Sequence, residues 1–358
     1  MELKKVQDVD LKGKRVLVRA SFNVPYEGSV IKEPYKIKMV KETVDYIIAQ
    51  GGRVTMFSNL GRPEEYQKEH PGMEWMKIFS FGNIIKEMGE ILGLRLKLIP
   101  SCDSNVIKKY QMQYSDQCDA FVLENIKFYQ EETENDEAFS AQLAENFDLF
   151  VNESFSDCHR AYVSTVGVAQ KLPAYAGFQL QREVENLSRV KDHPEHPAVA
   201  IIGGAKIETK LPLINSFVEK YDYILVGGKI ANEAIDQGLI FDSKVVLPVD
   251  FADEGRFDIG PKTIAKFEEI ISQAETIVWN GPMGLFEKEP YDQGTRRILK
   301  AISESGAFSV VGGGESVQAV NESGVEHELS FISTGGGAML EFLSGEPMPG
   351  VEVLKNKK

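Results

Sequence analysis

Cysteine is scarce in this chain of 358 residues. Its three thiols, Cys102, Cys118 and Cys158, have spacings that suit neither a disulfide scaffold nor a metal knuckle, so reduced thiols are expected. No run reaches the ~18 consecutive apolar residues of a membrane span. Residues 1–10 (MELKKVQDVD) lack the apolar core of a secretory signal, so a cytoplasmic protein is expected. Positive charge is short as well: 40 Lys and Arg against 54 Asp and Glu leave a net charge of −14. Such a field repels nucleic acid and anionic bilayers but leaves room for a local basic pocket that holds a small anion. Two nucleotide fingerprints are missing. Gly228-Lys229 is followed by Ile230, which breaks a GxxxxGK[ST] loop, and no GxGxxG occurs. A generic P-loop ATPase and a dinucleotide dehydrogenase are therefore disfavoured. Short internal repeats and low-complexity segments are absent too. With 42 % hydrophobic and 26 % charged residues, the chain has the apolar surface needed to offset ordering entropy, which rules out a disordered polymer.

What is present alternates. Apolar runs at Arg15–Ala20, Arg53–Phe57, Arg95–Ile99, Ala120–Leu123 and Leu149–Val151 read as strands, with helical spacing at Lys36–Gln50 and Gly82–Leu92 between them. The second half repeats this with strands at Ala198–Ile202, Tyr223–Val226, Thr276–Trp279 and Phe308–Val311. Helices are expected at Glu208–Lys220, Pro261–Gln273, Asp292–Ser303 and Glu315–Asn321. The pattern predicts an α/β protein with mostly parallel sheets wrapped by helices. A polar helix and a proline-punctuated stop (DHPEHP) over 181–197 predict a joint between an N-terminal domain, 1–180, and a C-terminal domain, 198–340.

Glycine turns crowd the second half. Gly203-Gly204, Gly227-Gly228, the Asn280–Gly284 loop, Gly312–Gly314 and Gly335–Gly337 each follow a strand or precede a helix. Glycine at such a place lets the backbone approach a ligand, and a helix that begins there aims N–H groups and partial positive charge at it. Several on one sheet edge make a phosphate crevice. Lys206 and Lys210, four residues apart at a helix start, are expected to share a face and converge on an anion. In the first half the strands end in polar or basic residues. Arg19, Lys36, Arg62, Lys127 and Arg160 are candidates to surround a small, highly charged anion.

The segments VLVRASFNVP, SNLGRP, LENIKF, VNESFSDCHRA, GGAKIETKL, DIGPKT, VWNGPMGLFE, VVGGGES and STGGGAMLE, in that order, resemble phosphoglycerate kinase over nearly the whole chain. The resemblance implies two Rossmann-like three-layer domains facing each other across a hinged cleft, with a tail, 341–358, that returns to the N-domain. It implies reversible phosphoryl transfer from 1,3-bisphosphoglycerate to ADP with Mg²⁺, in a cytoplasmic monomer with small-molecule partners only. By motif, the acid site would comprise Ser21, Phe22, Asn23, Lys36, Asn59, Leu60, Gly61, Arg62, Lys127 and Arg160. Lys36 would serve the transition-state charge. Lys206, Lys210 and the N–H groups around Gly313 and Gly314 would neutralise the moving phosphoryl group. The nucleotide site would comprise Gly204, Ala205, Lys210, Gly227, Gly228, Asn280, Pro282, Gly284, Leu285, Glu287, Gly313, Gly314, Glu315 and Ser316, with Glu315 on Mg²⁺ and Glu287 on the ribose.

The chain departs from the family pattern mainly in the acid site. Ser21 stands for Asp, Lys36 and Lys127 for Arg, and Asn59 for His. Lysine keeps the charge but loses the bidentate fork. In the second half Glu315 stands for Asp, Lys229 for a third glycine, and the stretch from Ala231 to Asp258 is short, which predicts an abbreviated helix and loop beside the base pocket. These departures leave open a kinase of the same mould for another small carboxylate or acyl phosphate, or a nucleotide-binding protein without catalysis.

Overall fold

The computed structural model describes residues 2–356. They fall into two compact units: the chain up to Arg182 together with the segment from Met348 onward, and Glu183–Pro347. The division falls inside the helix Phe178–Asp192, which runs from one unit into the other. Residues 341–347 belong to the second unit, so the chain rejoins the first at Met348 and not at residue 341.

Each unit is built on a six-stranded sheet whose strands pair in parallel. In the first, the spatial order is Leu96–Ile99, Ala120–Leu123, Arg53–Phe57, Arg15–Arg19, Leu149–Asn152, Ala174–Ala176. The central strands are buried on both faces, as parallel strands covered by helices must be. Val16 and Val18 join Val54, Met56 and Val151 in a core with Ile37, Val40, Val44 and Ile47 of the helix Pro34–Ala49. Leu17, Phe57 and Phe150 are buried on the opposite face, where the two phenylalanine rings meet edge to face. The period-two alternation of the strand thus serves two helical layers at once.

The second unit orders its strands Val245–Val246, Tyr223–Val226, Ala198–Ile202, Thr276–Asn280, Phe308–Gly312, Phe331–Ser333. In chain order this is 3-2-1-4-5-6, the arrangement of dinucleotide-binding sheets. Val199, Ile201, Ile277, Trp279 and Val311 pack with Phe267, Ile271, Ile298 and Ile302 of the helices Pro261–Ile271 and Gln293–Glu304. One expected helix is shorter than its span. The segment 208–220 opens with a 3₁₀ turn, Ile207–Thr209, and the α-helix runs only Leu211–Val218. Pro212, which has no N–H to place in a helix interior, sits in the first turn and marks the start.

Candidate functional site

In sheets of this kind the crevice opens where the strand order reverses. In the second unit that point lies between Ala198–Ile202 and Thr276–Asn280. The two strand ends touch: Gly203 N–H donates to the Asn280 carbonyl at 2.8 Å. A Cβ on Gly203 would stand 2.0 Å from the Pro282 carbonyl oxygen, so only glycine allows the approach. Asn280 ties the wall together. Its Nδ2 donates to the Gly312 carbonyl at 2.8 Å, and its Oδ1 accepts from Lys210 Nζ. Gly281 N–H donates to Ser316 Oγ at 2.7 Å. Asn280 and Ser316 therefore shape the loops as well as line the space.

Two adjoining cavities open here, of about 440 and about 310 Å³. They share Gly204, Ala205 and Glu315. The larger is walled by Gly228, Pro282, Gly284, Leu285 and Glu287, with Phe257 and Arg256 from the short stretch before Asp258. Phe257 is 50 % exposed and Leu285 43 %, an apolar wall of the kind that covers a flat ring. The smaller cavity is walled by Lys210, Asn280, Gly313, Gly314, Gly336 and Gly337. Three helices, Gly228–Asp236, Gly314–Ser323 and Gly337–Ser344, begin at these walls and point N–H groups and positive dipole ends at them. Burial pushes the Lys210 ammonium down to about 8, against the pull of the Glu315 carboxylate.

Two expected residues sit differently. Lys206 is exposed in extended backbone (φ −131°, ψ 112°) and lines neither cavity. The 3₁₀ turn between Lys206 and Lys210 removes the α-helical face they were expected to share. Gly227 packs behind the wall, where a Cβ would stand 2.6 Å from Met283 Sδ. Residues not foreseen include Phe257, Arg256 and Gly255, which lie outside helices and strands, and Asn232, Glu233 and Asp236 of the helix Gly228–Asp236, whereas Gly336-Gly337 lines the smaller cavity as its glycine turn led one to expect.

In the first unit the order reverses between Arg15–Arg19 and Leu149–Asn152. Arg19 was a candidate ligand, but it is 1 % exposed and fully occupied by protein groups. Its guanidinium donates to Ser164 Oγ (3.1 Å), Ala20 O (2.7 Å), Ser58 Oγ (2.9 Å), Asn59 Oδ1 (2.8 Å) and Asp157 Oδ2 (3.1 Å). Arg19 is the anchor from which this site is built. Phe22 is wholly buried and its N–H donates to Ser58 Oγ at 3.0 Å. Leu60 is buried too, and Asn125 bridges its N–H (3.2 Å) and carbonyl (2.8 Å). Both act as scaffold. Asn23 accepts from Gly61 N–H at 2.9 Å, which joins the first and second strand ends.

The cations each have a local partner. Lys36 Nζ is 2.6 Å from Glu33, and exposed Arg62 is 3.2 Å from Glu65. Lys127 lies with its Nζ 4.1 Å from the centroid of the Tyr162 ring. Burial lowers the Lys127 pKa, opposed by the charges of Glu132, Glu64 and Asp157. Burial likewise raises the Glu132 carboxyl, which accepts from Ser164 N–H at 2.9 Å and from its hydroxyl at 2.5 Å. Arg160 is exposed and lies close enough to act on Tyr162. The structure thus groups Ser21 and Lys127 near Asp157 and Ser156, with the Arg160 backbone N–H on the Asp157 carbonyl. Among the described residues no contact ties Lys36 or Arg62 to that group.

A family model described as phosphoglycerate kinase matches residues 6–241 and 241–346. The chain is similar to phosphoglycerate kinase of Rubrobacter xylanophilus, 38 % identical over 400 residues and covering all of both chains. It is similar to that of Borrelia turicatae, 36 % identical over 400 residues, 99 % of this chain and 100 % of the relative. Among solved structures, phosphoglycerate kinase from Coxiella burnetii superposes with a TM-score of 0.81 at 32 % identity, and that from Pyrococcus horikoshii with 0.84 at 28 %; each covers 98 % of both chains. The match breaks at residue 241, and an alignment of 400 positions leaves at least 42 without a counterpart in 358 residues. The break falls in the short stretch between Ala231 and Asp258.

Proposed function

The chain belongs to the phosphoglycerate kinase family, and from that premise we propose how its residues divide the work of phosphoryl transfer between 1,3-bisphosphoglycerate and ADP. The reaction it catalyses breaks the bond between the acyl oxygen and phosphorus, forms one from a terminal ADP oxygen to that phosphorus, and leaves 3-phosphoglycerate and ATP. It needs alignment and charge stabilisation more than covalent help. The observation that carries the residue assignment is the paired cavity of the second unit, apolar at one end and ringed by glycine turns, helix N-termini and Lys210 at the other.

The larger cavity takes the nucleoside, with the base against Phe257 and Leu285 and the ribose near Glu287. The smaller takes the phosphates. N–H groups at Gly313 and Gly314 donate to the phosphoryl oxygens as charge grows there, and Lys210 places its ammonium on the same side. Glu315, in the first turn of its helix and on the wall of both cavities, is the carboxylate that would hold Mg²⁺. Among the described residues no group of three or more His, Cys, Asp or Glu forms a cage, which suits a cation held by one carboxylate, phosphates and water. When bound, Mg²⁺ would neutralise phosphate charge. Lys36, Arg62, Lys127 and Arg160 in the first unit would receive the acid's phosphate and carboxylate, with Ser21, Asn23 and Asn59 around them. The protein works as a cytoplasmic monomer in this reading, and no helix among the described residues is long and apolar enough to cross a membrane.

A coupled assay of purified protein in both directions tests the assignment. Turnover that needs Mg²⁺ and saturates with both substrates is expected; none at saturating substrate would sink it.

A further inference from the structure

The strand reversal of the first unit leaves one carboxylate oxygen without a protein donor. Asp157 ends the 3₁₀ turn Phe155–Asp157 and is 22 % exposed at its side chain. Its Oδ2 collects every donor: Arg19 Nη2 at 3.1 Å, Ser154 Oγ at 2.7 Å and Ser156 Oγ at 3.3 Å. Its Oδ1 accepts from no group among the described residues. Ser156 Oγ lies 3.4 Å from Ser21 Oγ, and the Arg160 N–H donates to the Asp157 carbonyl at 3.0 Å. The carboxylate therefore neighbours Ser21 through Ser156 and lies close enough to Lys127 to act on its charge, beside the position where a hydroxyl replaces the carboxylate of the family pattern.

We infer that Asp157 supplies from the fifth strand's loop the carboxylate that position 21 lacks, its Oδ1 accepting the hydroxyl hydrogen of the three-carbon acid. The inference rests on the reading that this cluster holds 3-phosphoglycerate. A carboxylate repels the acid's own carboxylate and phosphate, so the hydroxyl is the one substrate group it attracts. The surrounding cations take the anionic ends. Pairing with buried Arg19 accounts for Oδ2 but leaves Oδ1, on a side chain that is 22 % exposed, without a protein donor among the described residues. Asp157 is thus a specificity-determining residue.

The test compares 3-phosphoglycerate with 3-(phosphonooxy)propionate, its analogue without the 2-hydroxyl, in full-length protein with ATP and Mg²⁺. The parent is expected to favour the hydroxylated acid in kcat/KM by about 10- to 100-fold, the size of one charge-assisted hydrogen bond. In Asp157→Asn the amide must turn its oxygen toward Arg19, which puts an NH₂ donor where Oδ1 stood. The preference then falls toward unity while the KM for ATP stays unchanged. Adding Ser21→Asp to that variant restores the preference, which loss of a merely structural ion pair would not allow. An unchanged preference in Asp157→Asn overturns the inference and leaves the kinase reading standing. Should that variant not fold, Asp157→Glu keeps a partner for Arg19 but displaces the outer oxygen, and an unchanged preference there overturns it equally. A parent that phosphorylates neither acid removes the kinase reading, and this inference with it.

Discussion

In the proposed reading the second unit binds with its main chain and the first with its side chains. Around the paired cavities, glycine turns and three helix starts present N–H groups whose positions are set by strand register, and Lys210 is a half-buried cation among them. In the first unit the charges come from long side chains. Each has already found a local partner: Glu33 for Lys36, Glu65 for Arg62, the Tyr162 ring for Lys127. A site made of backbone tolerates substitution at its side chains but not at its glycines. A site made of side chains can exchange or move a charge, as Ser21 and Asp157 suggest, provided the buried anchor Arg19 stays in place.

That contrast can be broken at its strongest point first. Lys210→Ala removes the buried cation and leaves Asn280 Oδ1 without its donor; kcat in the coupled assay should fall by about 10²- to 10³-fold, as when one preorganised donor is lost. Gly313→Ala comes next. Its φ is 99° and a Cβ would stand 2.8 Å from Asn280 Nδ2, so strain of about 1–3 kcal/mol should lower the melting temperature by several degrees, and displacement of the loop's N–H groups should lower kcat by ~10- to 100-fold. The pH profile sharpens the point. The Lys210 value of about 8 lies below its ordinary 10.5, so charge is lost as pH rises through about 8. In the free protein kcat/KM for nucleotide should then drop about tenfold per pH unit above that value, and Lys210→Arg should abolish this alkaline limb. In the first unit Lys36→Arg restores a bidentate fork and should raise kcat severalfold, whereas Lys36→Ala should lower it; if both match the parent, Lys36 takes no part. The smallest effect is expected of Glu33→Gln, which releases a half-exposed ion pair worth about 0.2–1 kcal/mol and should lower the KM for 3-phosphoglycerate at most a few-fold.

The strands that carry both sites were legible because buried parallel strands write themselves as continuous apolar runs: Arg53–Phe57, Ala120–Leu123, Ala198–Ile202 and Tyr223–Val226 match the expected spans to the residue. The edge strands Ala174–Ala176, Val245–Val246 and Phe331–Ser333 were not, since two or three residues carry no period. Gly203, Gly313 and Gly336 announced the glycine-ringed end of the paired cavity because their spacing from strands encodes backbone geometry. The inward turn of Arg19 and the backbone at Lys206 were hidden for the opposite reason. Nothing local says that one guanidinium turns inward to five protein acceptors, or that a 3₁₀ turn replaces the α-helical face that Lys206 and Lys210 were expected to share. Phe257 stayed hidden because it reaches its cavity from irregular chain.

The segment from Met348 closes on the first unit through a bridge between Leu3 and Lys355, and Gly350 donates to the Cys158 carbonyl at 2.9 Å. During synthesis the whole of 183–347 therefore leaves the ribosome before the first unit can be completed. The half whose translation starts earlier is finished later, and it must wait with its seam open while its neighbour folds. A released chain truncated after residue 347 should hold a protease-resistant second unit beside a first unit that is still digestible.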